Sequence, residues 1–249
     1  MSKAKRRRTN RIRTFDLESG DLLAGKYRVQ ERLGRGWEGE VYLVRELSTG
    51  VERSAKLFFP HRNPQNRTAR YNARKLHKLR HCPILIQYHT QEAVRHAGQT
   101  VTVLVSEYVE GELLTAFLRR QPGGRLDAFQ ALHLLHALAA GVQDIHTSGE
   151  YHGDLHANNV IVRRYGLGFI VKLVDLFPRG RASAGAVQDD VCDLARLLYD
   201  CGGGKRTYKR QPPEFKEVCC GLKRSLINAR FRTAVELLWY LEHMEWWSR

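Results

Sequence analysis

Between Glu52 and Glu92 the chain carries no acidic residue. Basic residues stand there instead: Arg62, Arg67, Arg70, Arg74, Lys75, Lys78 and Arg80. Acids are also missing ahead of Asp16, where Lys3, Lys5, Arg6, Arg7, Arg8, Arg11 and Arg13 crowd together. Unbalanced charge of this kind predicts a solvated, disordered basic arm over residues 1–21. Such an arm offers itself to an anionic partner, nucleic acid or membrane surface, as does the basic stretch 62–80. No apolar run approaches the length that crosses a bilayer, so no transmembrane segment is expected. No apolar core follows the first basic residues, as a secretory signal requires. The cysteines at 82, 192, 201, 219 and 220 form no CxxC pair. These absences give the expectation of a cytoplasmic protein with reduced thiols. No signature of a known DNA- or RNA-binding module occurs, so a nucleic-acid reading rests on the net charge of +15 alone. Internal repeats and long low-complexity segments are absent too.

What is present is enough sequence for one large domain or two lobes: 249 residues, 43% of them hydrophobic. Tyr27 to Leu33 alternates like a strand, Gly34-Arg35-Gly36 interrupts it, and Glu40 to Arg45 resumes it. Ser48-Thr49-Gly50 reads as a hairpin turn leading to a third strand through Lys56. Thr68 to Leu79 has helical character, and Thr100 to Tyr108 is apolar and β-branched. Asp127 is placed to cap a long helix whose Leu132, Leu135, Leu138 and Val142 recur at helical spacing. Val160–Val162 and Phe169–Val174 read as two short strands joined by Tyr165-Gly166-Leu167-Gly168. The pattern is mostly helical from Asp189 onward. Strand-rich first and helix-rich second predicts an α+β, bilobal arrangement, with a β-rich lobe over 22–109 and a larger helical lobe over 110–249.

Four places carry residues suited to chemistry. Gly34-Arg35-Gly36-Trp37-Glu38-Gly39 fits G-x-G-x-x-G. That string also opens helices in dinucleotide-binding folds or makes an ordinary hairpin. Here β-type residues flank it on both sides. Lys56 follows one strand later. His152-Gly153-Asp154-Leu155-His156-Ala157-Asn158-Asn159 concentrates polar groups between a helix and a hairpin, where a core has no use for them. Asp175 follows an apolar strand.

In this order and spacing the four places resemble the protein kinase-like superfamily over about residues 22–245. The resemblance implies that Gly34, Gly36, Gly39 and Val41 form a loop over ATP, and that Lys56 clasps its phosphates. It implies that Asp154 accepts or orients the acceptor hydroxyl's proton, while Asn159 and Asp175 bind Mg²⁺. Glu107-Tyr108-Val109 resembles the segment whose backbone holds adenine, with Ser106 behind it. The helix from Asp190 resembles the one whose aspartate buttresses the catalytic loop.

The chain also departs from that pattern. The glutamate usually paired with the strand lysine is replaced by Asn72, a weaker acceptor. Asp175-Leu176-Phe177 lacks the usual glycine. No A-P-E sequence follows, and Gly153 stands where many regulated kinases carry arginine, leaving no obvious receiver for a loop phosphate. His156 replaces a lysine, and HGDLH is similar to the loop of aminoglycoside and other small-molecule phosphotransferases. The expected function is ATP- and Mg²⁺-dependent phosphoryl transfer to a hydroxyl. A serine/threonine protein acceptor stands ahead of a small molecule. A nucleotide-binding pseudokinase scaffold is the alternative. Asp154, Lys56 and His156 are the candidate catalytic residues. Trp239, Trp246 and Trp247 are expected to serve packing.

Overall fold

The structure, a computed structural model, describes residues 11–166, 168–176 and 182–245. It divides into two compact units. The first runs to His77 and includes Gln87–Tyr108; the second comprises Lys78–Ile86 and everything from Val109.

The first unit is built on six antiparallel strands: β1 Leu22–Leu23, β2 Tyr27–Arg35, β3 Gly39–Glu46, β4 Glu52–Phe58, β5 Tyr88–His96 and β6 Gln99–Glu107. Their order is β1-β2-β3-β4-β6-β5. Helix α1 (Arg67–Lys78) lies between β4 and β5 in sequence. Alternation explains the strands. Ala55 and Leu57 of β4 join a buried cluster with Tyr42, Val44, Val101, Val103 and Val105, while Lys56 points to the opposite face.

One expectation needs correction here. Residues 11–21 are not a disordered arm. Ile12 and Phe15 are buried in that same cluster, and Phe15 stacks on Phe59 with ring centroids 5.3 Å apart. The backbone N–H of Phe15 donates to Glu40 Oε2 at 3.1 Å, as does the Tyr42 hydroxyl at 2.6 Å. Apolar residues at 12, 15 and 17 outweigh the charges around them. Lys3 through Arg8 lie outside the described residues. The helix expected over Thr68–Leu79 is α1, Arg67–Lys78, so of the basic stretch 62–80 only that part is helical, and Lys75 within it is buried. Strand β5 leaves little signal in the sequence because it closes the sheet's edge. Its residues are half exposed and its alternation is mostly polar.

The second unit holds the short strand β7 (Glu112–Leu113), helices α2 (Leu114–Arg120) and α3 (Ala128–Thr147), the hairpin β8 (Val160–Tyr165) and β9 (Gly168–Leu173), and helices α4 (Ala184–Cys201), α5 (Pro213–Cys219), α6 (Arg224–Arg230) and α7 (Ala234–His243). Asp127 caps α3 as expected, accepting from the Gln130 N–H at 2.8 Å. Leu132, Leu135, Leu138 and Val142 are all buried. Lys78–Ile86 groups with this unit because Leu173 donates to the Ile84 carbonyl at 2.7 Å and Leu85 bridges Leu173 in parallel. Trp239 is 60% exposed and stacks on His243, so it is not a core residue. Trp246 and Trp247 lie outside the described residues.

Candidate functional site

In the first unit the glycine string forms the tip of the β2–β3 hairpin. Gly34 pairs with Val41, and the Gly36 N–H donates to the Gly39 carbonyl at 2.9 Å. The glycines do different work. A Cβ on Gly39 would lie 1.9 Å from the Leu57 carbonyl oxygen, so glycine is required there for β4 to approach. Gly34 and Gly36 face open space, leaving bare backbone that a ligand can approach.

Lys56 stands on β4 directly across from Val41 on one side and Leu104 on the other. Its ammonium lies 2.7 Å from Glu38 Oε2 and 5.3 Å from the centre of the Phe58 ring. Glu38 belongs to the glycine string itself and was not among the expected site residues. Two signals pointed to it: the missing acids from 53 to 91, and an acid within the loop. Asn72 does not substitute for the absent acid. It is buried, and its Oδ1 has no hydrogen-bond partner among the described residues. Glu107 ends β6, pairs with Arg53 and donates its N–H to the Gln87 carbonyl at 2.9 Å. Ser106 beside it is buried. Val109 opens the second unit.

In the second unit the polar loop is fastened by α4. Fully buried Asp190 accepts from the backbone N–H groups of His152 and Gly153, each at 2.7 Å, and from His146 Nε2 at 2.9 Å. Three donors on one carboxylate hold the start of the loop in place. His152 is also fully buried. Its Nδ1 accepts from the Asp154 N–H at 3.3 Å, so Nε2 carries the proton and donates to the Val174 carbonyl at 3.1 Å. Gly153 has φ of +79°, a left-handed conformation in which an arginine would be strained.

Beyond this anchor, Asn159 Nδ2 donates to the Asp154 carbonyl at 2.9 Å and to Asp154 Oδ2 at 3.0 Å. His156 Nε2 lies 3.4 Å from Asp154 Oδ1. The Asp154 and His156 side chains are about half exposed. Asn159 immediately precedes β8, and Asp175 comes two residues after β9. The Val174 N–H donates to the Asn159 carbonyl at 3.0 Å, which brings Asp175 back beside the loop. Asp175 is exposed with φ of +56°, a conformation aspartate tolerates better than most residues. Phe177 lies outside the described residues. Burial, with Asp190 and Asp189 nearby, pushes the Asp193 carboxyl up to about 6.

Among the described residues no three His, Cys, Asp or Glu side chains cluster as a self-sufficient metal site. One amide and one carboxylate oxygen still suit Mg²⁺, which takes few protein ligands and completes its shell with phosphates and water.

A family model described as protein kinase domain matches residues 27–185. Over 157 residues the chain is 33% identical to serine/threonine-protein kinase pkn2 of Myxococcus xanthus, covering 62% of this chain and 18% of that protein. It is 28% identical over 158 residues to the serine/threonine-protein kinase PknA of Corynebacterium glutamicum, covering 62% of this chain and 33% of that one. The chain thus spans a third or less of these relatives. Among solved structures, the kinase domain of Mycobacterium tuberculosis PknI matches with a TM-score of 0.62 and 20% identity, covering 91% of this chain and 98% of that one.

Proposed function

The chain belongs to the protein kinase family and has its bilobal α+β fold; from that premise we propose that it transfers the γ-phosphoryl group of ATP to a serine or threonine hydroxyl of a protein. The observation that supports this most is the Asp154–Asn159 pair, held by α4 through Asp190. Asp154 has one oxygen engaged by Asn159, and the carboxylate is half exposed. It is oriented yet accessible, as a group that accepts a hydroxyl proton must be. His156 beside it is a donor for the transferred phosphoryl group. Gly34, Gly36, Gly39 and Val41 shape the loop over the nucleotide, Lys56 neutralises its phosphates, and the Glu107 and Val109 backbone receives adenine. Asn159 and Asp175 would hold Mg²⁺, which supplies charge neutralisation on the phosphates. Catalysis in this scheme is positioning and charge stabilisation.

Mg²⁺-dependent ATP binding, followed by radiolabel transfer to the protein itself, a generic protein and a panel of small alcohols, tests the reading. Asp154→Asn is expected to abolish transfer and leave ATP binding within about threefold, a change of under 1 kcal/mol. Unchanged turnover in that variant removes Asp154 from its role. Label on the alcohols alone would move the acceptor to small molecules, the direction in which His156 points. A second reading, a nucleotide-binding scaffold, draws on one observation: Lys56 is engaged by Glu38 while Asn72 offers no acid. Binding without any transfer is its signature. We place the protein in the cytoplasm on its thiol chemistry: all five cysteines are free, and four are buried.

A further inference from the structure

A second polar site lies in the first unit; Gly36 of the glycine string lines it, but Lys56 does not. A cavity of about 290 Å³ opens where the N-terminal segment, the tip of the glycine hairpin and the turn after β4 meet. Arg11, Arg13, Arg35, Arg62, His61 and Trp37 line it, and no acidic side chain does so among the described residues. Four guanidiniums around so small a volume repel one another unless an anion enters.

The individual contacts leave donors to spare. Arg35 Nη2 donates to the Arg13 carbonyl at 2.8 Å, and its Nε lies 3.8 Å from the buried Glu40. That is one carboxylate, set behind the wall, and Arg32 shares it at 3.9 Å. The Arg62 guanidinium lies over the Trp37 ring at 3.5 Å, which holds it in one orientation. Its Nε is buried with no hydrogen-bond partner among the described residues. Buried donors are ordinarily paired, so the Arg62 guanidinium is incompletely satisfied by the described residues. His61 stacks on Phe59, and burial beside Arg11, Arg62 and Arg13 lowers its pKa.

We propose that this cavity binds a phosphate monoester dianion presented by a peptide, as phosphoserine or phosphothreonine. Planar guanidinium forks match phosphate oxygens two at a time. The volume suits one phosphorylated side chain rather than a polynucleotide track. Trp37 carries Arg62 on one face, which fixes the guanidinium as a donor beside the cavity. The choice of a peptide carrier rests on the phosphotransferase reading; the preference for phosphate does not.

Calorimetry on the full chain tests this with a pentapeptide, Ala-Ala-phosphoserine-Ala-Ala, its unphosphorylated twin, inorganic phosphate and oligouridine. The phosphopeptide is expected to bind and its twin not to. Arg62→Gln should weaken binding at least tenfold while keeping the wild-type melting temperature. Should Arg62→Gln fail to fold, Arg11→Gln in the same lining carries the same test. Equal binding by the variant, or no phosphopeptide binding, overturns the proposal. Inorganic phosphate binding as tightly as the phosphopeptide overturns the peptide carrier. Oligouridine binding more tightly, with the same sensitivity to Arg62→Gln, assigns the site to nucleic acid instead. Phosphopeptide binding by a protein that transfers no phosphate would leave this inference standing and the phosphotransferase reading fallen; transfer without such binding would do the reverse.

Discussion

Glu38 and Asp193 show how single side chains set this protein's chemistry. The proposed phosphate ligands are the glycine hairpin and Lys56, and Glu38 joins those two elements through a 2.7 Å contact. A carboxylate that bridges them occupies the ground where a phosphate oxygen would meet Lys56. Nucleotide must displace it or share the ammonium with it. Glu38→Gln is therefore expected to tighten MgATP binding about threefold to fivefold, the scale of a partly exposed ion pair. Weaker binding, measured by calorimetry, would show instead that Glu38 holds Lys56 in a productive position. Asp193 makes a different prediction. Its carboxyl, raised to about 6 in the folded protein, binds a proton more tightly there than in the unfolded chain. Its contribution to stability is complete below the unfolded pKa near 3.8 and is lost as pH rises through about 6. Asp193→Asn should thus stabilise the protein at pH 7 and give no gain near pH 4, as urea titrations at the two pH values would reveal.

Among the elements, α4 matters most to the site. It enters the second unit capped by Ser183, which accepts from the Ala186 N–H at 3.2 Å, and presents Asp190 to the loop. Its apolar face is buried through Val191, Leu194, Ala195, Leu197 and Leu198, so the carboxylate is carried on a rigid support. Asp190→Ala would orphan the N–H groups of His152 and Gly153 and one nitrogen of His146. A loss of about 3 kcal/mol in unfolding free energy is expected. Urea unfolding measures it, and a change below about 0.5 kcal/mol would mean that water replaces the carboxylate. The β8–β9 hairpin is the other essential element. Its spacing, readable in the sequence as Val160–Val162 and Phe169–Val174, returns Asp175 to the loop that carries Asn159. The role of α1 was less legible. Its missing acid was plain, but that Asn72 would be buried with an idle Oδ1 depends on packing that periodicity does not describe.

For the molecule as a whole, the N-terminal segment belongs to the first unit's core. Phe15→Ala removes a fully packed ring that touches Phe59 and His96, and is expected to cost about 3 kcal/mol. Chemical denaturation checks this; a cost below about 1 kcal/mol would mean that the segment adds little to the core. The charge reading failed here because it summed over residues 1–21. Charge of one sign predicts solvation for a segment as a whole, whereas burial is decided by where two or three apolar side chains fall.

The sequence by itself determined the succession of a strand-rich half and a helix-rich half, the long capped helix, the polar loop at 152–159 and the carboxylate beyond the hairpin. Those features are local: alternation, helical spacing, caps and turns act over a few residues. The tertiary structure alone decided which acid meets Lys56, that Asp190 fastens the loop, and that Ile12 and Phe15 complete a core. It also decided that four arginines from three separate segments surround one cavity. Each of these depends on residues distant in the chain, and such contacts form only when burial of the whole core compensates the entropy of bringing them together.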